Sequence, residues 1–371
     1  MEASVTGAAL DTPLAALHKS AGATLGTWFG CTLPDYWIDP RIEQEFARSS
    51  VALLDKNCRS YLSFTGPDRV RYLNAVLTNN IKDLLPGQGN VSLLLNPQGR
   101  ILAEIETYAQ PDNLFCVSYA MIRAQLIEWL DKYIIMDDVT LTDESARYGT
   151  LGVEGPFASS VSRELTGIDL SALAELGRVQ TEVASIPSWL VKRSPGGVAG
   201  FELLSEQNKL PDLWKHISEC VKEHSGGPMG YTATSAQRLA QGVPWFGYDF
   251  GEKQIPHEAG LEKTHISYTK GCYTGQEIVE RVRSRGQVNR RRVDLIFEGP
   301  GLPAPGETLS VAGKEVGFVT RAAVPSFLSH AIGMGYVRGE HNAPGSQLSW
   351  SGGTAVVSQF PVALIAQEKH K

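Results

Sequence analysis

The chain of 371 residues is long enough for two or three packed units, taking roughly 100 to 200 residues per domain. Its composition, 42% hydrophobic and 20% charged with glycine and proline spread throughout, excludes a largely disordered or low-complexity protein. A formal net charge of −6 excludes a protein that coats nucleic acid over its whole surface and leaves room only for a local basic site. No Lys or Arg precedes Lys19 and no apolar run reaches a spanning length, so a soluble, cytoplasmic protein without a membrane partner is expected. From Tyr61, YLSFT alternates as a strand, breaks at Gly66-Pro67, and continues as an amphipathic helix with Val70, Leu73, Val76 and Leu77 on one face. Strands follow at VSLLL, ILAEIETY and LFCVSY between glycine, proline and asparagine turns, and then a helix near 121 to 133. Glu104 and Glu106 alternate with Ile105, which places them on one side of a strand, either as solvent-facing residues or, for Glu104, as a candidate site acid.

The plan then repeats. YGTLGVEGPFASSVSREL again runs strand, Gly155-Pro156, helix; SWLVKRSPGGVAGFELLSE, with a turn at Gly196-Gly197, and LPDLWKHISECVKE again run strand, strand, helix, so a degenerate internal duplication is one reading and chance recurrence of such units the other. Beyond Arg292 only short alternating segments between turns remain (RRVDLIFEG, ETLSVAGKEVGFVTRAAV, HAIGMGYV, SQLSWSGGTAVVSQF), which suits a small antiparallel barrel or sandwich. The expected class is α+β: units over 1–145 and 146–289, then a β-barrel over 290–371.

Five cysteines, at 31, 58, 116, 220 and 272, are odd in number and scattered, with no CxxC pair and no Cys/His spacing suited to zinc. Neither a disulfide framework nor a bound metal is expected, and four of them read as small buried hydrophobes. Cys272 stands apart, in Lys270-Gly271-Cys272-Tyr273-Thr274-Gly275-Gln276-Glu277. Thr274 to Glu277 fits a capping box, so a helix should start there and end near Gly286. Cys272 would then sit near the positive helix end with Lys270 close by, both favouring thiolate; burial in apolar packing would instead leave it inert. Arg281, Arg283, Arg285, Arg290, Arg291 and Arg292 follow, either as a solvated helix end and strand edge or as an anion site.

These residues, continuing to Arg281 and Arg285-Gly286, resemble the hallmark of the YgfZ group of glycine-cleavage T-protein-like, folate-binding proteins. GRILAEIETY, GVAGFELL, SAQRLAQGVPWFGYDF and IPHEAGL resemble further segments of that family. The resemblance implies two intertwined α/β lobes and a C-terminal β-barrel around a channel that accepts tetrahydrofolate. It implies that Glu202 holds the pterin ring, that Arg238 faces the folate or is an ordinary helix arginine, and that Cys272 is an essential thiol supported by Lys270 to Glu277, Arg281 and Arg285. Where aminomethyltransferases carry paired aspartates this chain has Ala103-Glu104, a single longer acid, which leaves Glu104 as the candidate folate-binding acid there. The expected function is therefore tetrahydrofolate binding in the assembly or repair of iron-sulfur proteins, with iron-sulfur clients as partners and an effect on tRNA-modifying enzymes. The second reading is a folate-dependent aminomethyltransferase or demethylase, and the third an RNA-binding scaffold; DNA binding is not expected.

Overall fold

The computed structural model describes residues 8–194, 198–286 and 288–358. A small sheet comes first: β1 (Leu10–Asp11), β2 (Thr24–Trp28) and β3 (Cys31–Tyr36), with α1 (Ala15–Ser20) between the first two strands and α2 (Pro40–Ser49) after the third. Asp39 caps α2 by accepting from the Arg41 amide at 2.8 Å, and Pro40 takes the first helical position, where no amide bond is lost. The chain continues through β4 (Ala52–Asp55), β5 (Arg59–Thr65), α3 (Arg69–Val76), β6 (Gly89–Leu95), β7 (Ile101–Ala109), β8 (Leu114–Tyr119), α4 (Arg123–Asp131) and β9 (Thr140–Asp143). The first large sheet runs β6-β7-β8-β5-β9. Its back face, with Leu62, Phe64, Ala103, Ile105, Leu114 and Cys116, packs under α3 and α4.

The second half supplies β10 (Tyr148–Glu154), α5 (Ala158–Thr166), β11 (Arg178–Val183), β12 (Ile186–Lys192), β13 (Gly200–Glu206), α6 (Leu210–Glu223), β14 (Gly227–Pro228), α7 (Tyr231–Ala240), α8 (Pro256–Ala259) and α9 (Gln276–Arg285). Its sheet runs β11-β12-β13-β10-β4-β14, which repeats the order of the first with β4 added beside β10. The duplicated pattern in the sequence thus has a duplicated strand order beneath it. Back-face residues Leu151, Val153, Leu190, Phe201 and Leu203 pack under α5 and α6. The turn expected at Gly196-Gly197 lies outside the described residues.

The last six strands, β15 (Arg290–Glu298), β16 (Thr308–Val311), β17 (Lys314–Ala323), β18 (Ala331–Arg338), β19 (Gln347–Trp350) and β20 (Gly353–Ser358), close into a barrel. Alternate residues Val293, Leu295, Phe297, Val319 and Val357 fill it. Closure needs strands that bend, and register shifts at Leu309/Ser310 and Val319/Arg321 supply bends. The mixed α/β class with antiparallel sheets and a C-terminal barrel is as the sequence implies. Among the described residues no helix is long and apolar enough to cross a membrane.

Candidate functional site

Period-two alternation decides what each sheet presents to the other. With Ala103 and Ile105 committed to the helices, Glu104, Glu106 and Tyr108 of β7 must emerge on the opposite face. The same logic turns Arg59 and Tyr61 of β5, Phe115 and Val117 of β8, Arg178 of β11, Trp189 and Val191 of β12, and Glu202 and Leu204 of β13 inward. Tyr61, Tyr108, Phe115, Val117, Val191 and Leu204 form one cluster that joins the two sheets. The solvent-facing reading of Glu104 and Glu106 therefore fails: Glu106 is 7% exposed, and the second sheet covers this face.

Charges buried here are paired. Arg59 grips Glu202 with two bonds, Nη1 to Oε2 at 2.5 Å and Nη2 to Oε1 at 2.8 Å. Glu106 takes Arg193 Nη2 at 2.6 Å and the Tyr108 hydroxyl at 2.6 Å, with Arg59 Nη1 at 3.7 Å. Burial raises the Glu106 carboxyl, but Arg193 and then Arg59 outweigh it and hold it below the usual carboxylate range. Burial likewise works against the Arg59 cation, and Glu202 and Glu106 overcome it, so Arg59 stays charged. Glu202 retains acceptor capacity, because a carboxylate offers about four lone-pair directions and Arg59 uses two.

Arg178 is different. It is 5% exposed, its Nε and Nη1 have no hydrogen-bond partner, and it lies over the rings of Trp189 at 4.2 Å, Phe115 at 4.5 Å and Tyr108 at 5.7 Å. Burial pushes its pKa down to about 10, which still leaves it charged at neutral pH. A channel of about 800 Å³ opens above it, lined by Phe115, Tyr148, Arg178, Trp189 and Leu204 among others. Beneath, next to Arg59 and Glu202, is a pocket of about 10 Å³, room for about one water. Arg178, Phe115 and Leu204 line both, so Arg178 separates the open channel from the buried acid. A larger depression of about 1440 Å³ lies against the barrel, but Glu104, Glu106 and Glu202 do not line it.

Glu104 is half-buried on the same face as Glu106. Its Oε1 accepts from His265 Nε2 at 3.0 Å and its Oε2 from the Tyr119 hydroxyl at 3.0 Å. Thr264 Oγ1 lies 2.7 Å from His265 Nδ1, so with the ring proton on Nε2 the threonine donates to the other nitrogen. Arg59, Glu106, Arg193, Arg178 and His265 were not singled out by sequence reasoning as site residues. Only Glu106 left a signal, its alternation with Ile105; the rest meet Glu202, Glu104 or the channel through contacts across many residues.

The cysteine segment lies elsewhere. Lys270 does not serve the thiol: its Nζ donates to the carbonyls of Asn74 and Leu77 at 2.5 Å each and of Asn79 at 3.0 Å, which caps the end of α3. Burial lowers its pKa to about 8. Gly271 and Cys272 are exposed, and Tyr273 is buried against Leu93, Leu95, Ile101 and Val279. The capping box expected at Thr274 is not formed. Gly275 occupies the N-cap at φ +80° without a side-chain cap, and the Gln276 side chain reaches back to the Tyr273 amide at 3.3 Å. A Cβ on Gly275 would lie 2.7 Å from the Asn96 carbonyl oxygen, and one on Gly99 2.9 Å from Ile278, so paired glycines let α9 sit on the β6–β7 turn.

The arginines after the cysteine, read as either a solvated helix end and strand edge or an anion site, are each paired with an acid where their side chains are described. Arg281 pairs with Glu277, Arg283 with Glu280, Arg290 with Glu258, Arg291 with Glu262 and Arg292 with Asp294. The side chain of Arg285 lies outside the described residues. Arg238 is buried in α7, bonded to Asp249 and to the Val243 carbonyl at 3.2 Å, with the Trp245 ring 4.5 Å away. Asp249 in turn accepts from Thr320 at 2.6 Å and its carbonyl from Tyr336 at 2.9 Å, so Arg238 ties α7 to the barrel and does not line the channel.

Two paired sheets with a buried acid between them, followed by a small barrel, define a class of protein. The GCVT N-terminal domain matches residues 14–268 and the glycine cleavage T-protein C-terminal barrel domain matches 290–355. The chain belongs to the glycine cleavage T-protein family. It is 28% identical over 338 residues to an aminomethyltransferase of Streptomyces avermitilis, covering 90% of this chain and 91% of that one. It is 27% identical over 337 residues to an aminomethyltransferase of Rubrobacter xylanophilus, covering 91% and 89%. The aminomethyltransferase T of the glycine cleavage system from Bartonella henselae shares the fold, with a TM-score of 0.86 at 21% identity over 95% of this chain and 98% of that one.

These relatives overturn the iron-sulfur function expected from the cysteine motif and favour the second reading. The geometry removes one part of its physical premise, the lysine beside the thiol, since Lys270 points at α3. The wider part of the resemblance, to T-protein-like folate proteins, stands.

Proposed function

We propose that the protein transfers a one-carbon unit from an aminomethyl donor to tetrahydrofolate held in the channel between the two sheets. The observation that carries this reading is the inward array of Glu202, Arg178 and the aromatic rings around them, in a chain matched along its length by T-protein models. A folate is a flat ring with N–H donors at one end and carboxylates at the other. The free lone pairs of Glu202 suit the ring donors, Trp189 and Phe115 offer stacking faces, and the unpartnered Arg178 nitrogens suit an acceptor. The channel volume falls within the range of roughly 300 to 1,000 Å³ usual for such ligands. For the ring to reach Glu202, Arg178 must swing aside, because the pocket beneath it holds about one water.

The transfer is redox-neutral. The donor's methylene carbon leaves its ammonia and its carrier group and bridges two folate nitrogens; each nitrogen gives up one proton, one going to ammonia and one to the carrier. Support for Glu104 as the carboxylate that takes part in that exchange is its position on the inward-facing side of β7, held by His265 and Tyr119. Support for a YgfZ-type branch within the family is the KGCYTGQE segment itself.

The test incubates the protein with tetrahydrofolate and an aminomethyl donor and follows ammonia and methylene-tetrahydrofolate. Equal release of both is expected, and Glu104→Gln should slow it by about 10²- to 10⁴-fold with folate affinity retained. Folate binding with neither product formed would overturn the reading.

A further inference from the structure

The sequence carries no zinc-like pair of Cys/His motifs, yet folding brings three potential ligands from two helices together. Cys220 and His224 are four residues apart at the end of α6, so they share one face and follow each other along it. Against that face lies α5, whose Val161 shares a buried core with Leu213 and Ile217 of α6, and it presents Glu164. His224 Nε2 lies 3.0 Å from Glu164 Oε2, and one ligand atom from each of Glu164, Cys220 and His224 falls within 4.8 Å of the others.

Metal–ligand lengths give a yardstick for that spacing. With Zn–N and Zn–O near 2.0 Å, Zn–S near 2.3 Å and tetrahedral angles, the N···O edge of a zinc site is about 3.3 Å and the S···N edge about 3.6 Å. The His–Glu edge here is already within a few tenths of an ångström of that value. The sulfur needs to close by up to about 1.3 Å, within the reach of a change in χ1. Glu164 and His224 are reachable from solvent, with side chains 47% and 23% exposed, so an ion has an approach while Cys220 supplies a ligand from the core side. In the absence of an ion the three groups satisfy one another by hydrogen bonding, which keeps them preassembled.

We propose that Glu164, Cys220 and His224 bind a thiophilic divalent cation of the zinc type, which clamps α5 to the end of α6 on the outer face of the second sheet. Binding replaces the His224–Glu164 hydrogen bond by two metal bonds and forms a metal–sulfur bond as the Cys220 thiol proton leaves to solvent. Water or Glu223, whose charge reaches Cys220, completes the coordination. The three residues do not line the inter-sheet channel, so this site is structural.

Cobalt(II) reports on such a site directly, because thiolate ligation produces a charge-transfer absorption that oxygen and nitrogen ligands do not. The full chain carrying Cys272→Ser, which removes the exposed thiol, is titrated with cobalt(II) and then with zinc(II). A charge-transfer band that saturates at one equivalent and is displaced by zinc is expected. The band should vanish in Cys220→Ser, and apparent affinity should fall at least tenfold in His224→Ala and in Glu164→Gln, whose half-exposed positions leave folding intact. Zinc should also raise the melting temperature of the Cys272→Ser protein but not of its His224→Ala derivative. A band that survives Cys220→Ser, or no band at any ratio, would overturn the proposal.

Discussion

Glu202 and Arg178 make opposite use of burial. Glu202 sits in a two-bond pair with Arg59, and losing one member of a buried pair costs about 3 to 5 kcal/mol, so alanine there would confuse binding with stability. Glu202→Gln keeps the shape and one acceptor. It is expected to weaken tetrahydrofolate binding by about tenfold or more, the value of a charge-assisted hydrogen bond, as read by calorimetric titration. Arg178 has two buried nitrogens with no partner, a cost the stacked rings only partly offset. Arg178→Met should therefore leave thermal stability unchanged or raised while folate affinity falls. A large loss of stability with unchanged affinity would make Arg178 a packing residue. At this scale the sequence was partly legible. Glu202 could be picked out by family resemblance, but its partner Arg59 lies 143 residues away and Arg193 reaches Glu106 from the other sheet, and no local pattern links residues that meet only when two sheets face each other.

Among elements, the segment from Lys270 to Arg285 shows how a local rule can match and still not operate. Thr274-Gly275-Gln276-Glu277 has capping-box spacing, but the close approach of α9 to the β6–β7 turn requires glycine at the N-cap, and the helix begins one residue later than the rule places it. Tertiary contact overrode local propensity. Lys270 is instead a cap for a helix nearly two hundred residues earlier in the chain, and Lys270→Met should cost about 2 to 3 kcal/mol by leaving its three carbonyls without a donor, measurable by urea denaturation. In β15, burial raises Asp294 to about 7, and Arg292, 3.5 Å away, opposes this only in part. A carboxyl whose folded pKa is raised stabilises the fold fully below its unfolded value near 4, and that stability is lost as pH rises through about 7. The parent should accordingly gain stability relative to Asp294→Asn between pH 7.5 and pH 5; a difference that does not change with pH would show that Asp294 titrates normally.

For the molecule as a whole, the two sheets are expected to respond to ligand as one body, since the channel is built from both. Tetrahydrofolate at 100 times its dissociation constant should stabilise the chain by about 2.7 kcal/mol and move a shared unfolding transition of the two sheets upward. A shift confined to one of two separate transitions would show that only one half holds the ligand. The architecture was the most legible level: strands at YLSFT, ILAEIETY, LFCVSY and YGTLGVEG, the helix LPDLWKHISECVKE and the barrel strands after Arg290 are all present, because period-two alternation between turn residues is a strong local signal. The crossing of β4 into the second sheet carried no such signal, and it has a consequence in time. Ala52–Asp55 is made early by the ribosome, but its neighbours β10 and β14 end at Glu154 and Pro228, so its hydrogen bonds to them must wait for about a hundred and about 170 further residues, respectively. At roughly 5 to 20 residues per second that wait lasts many seconds, during which a strand of Ala, Leu, Leu and Asp has unsatisfied edges. The nascent chain is thus most exposed to misassembly before residue 228 emerges, and a chaperone that shields the first sixty residues would act in that interval.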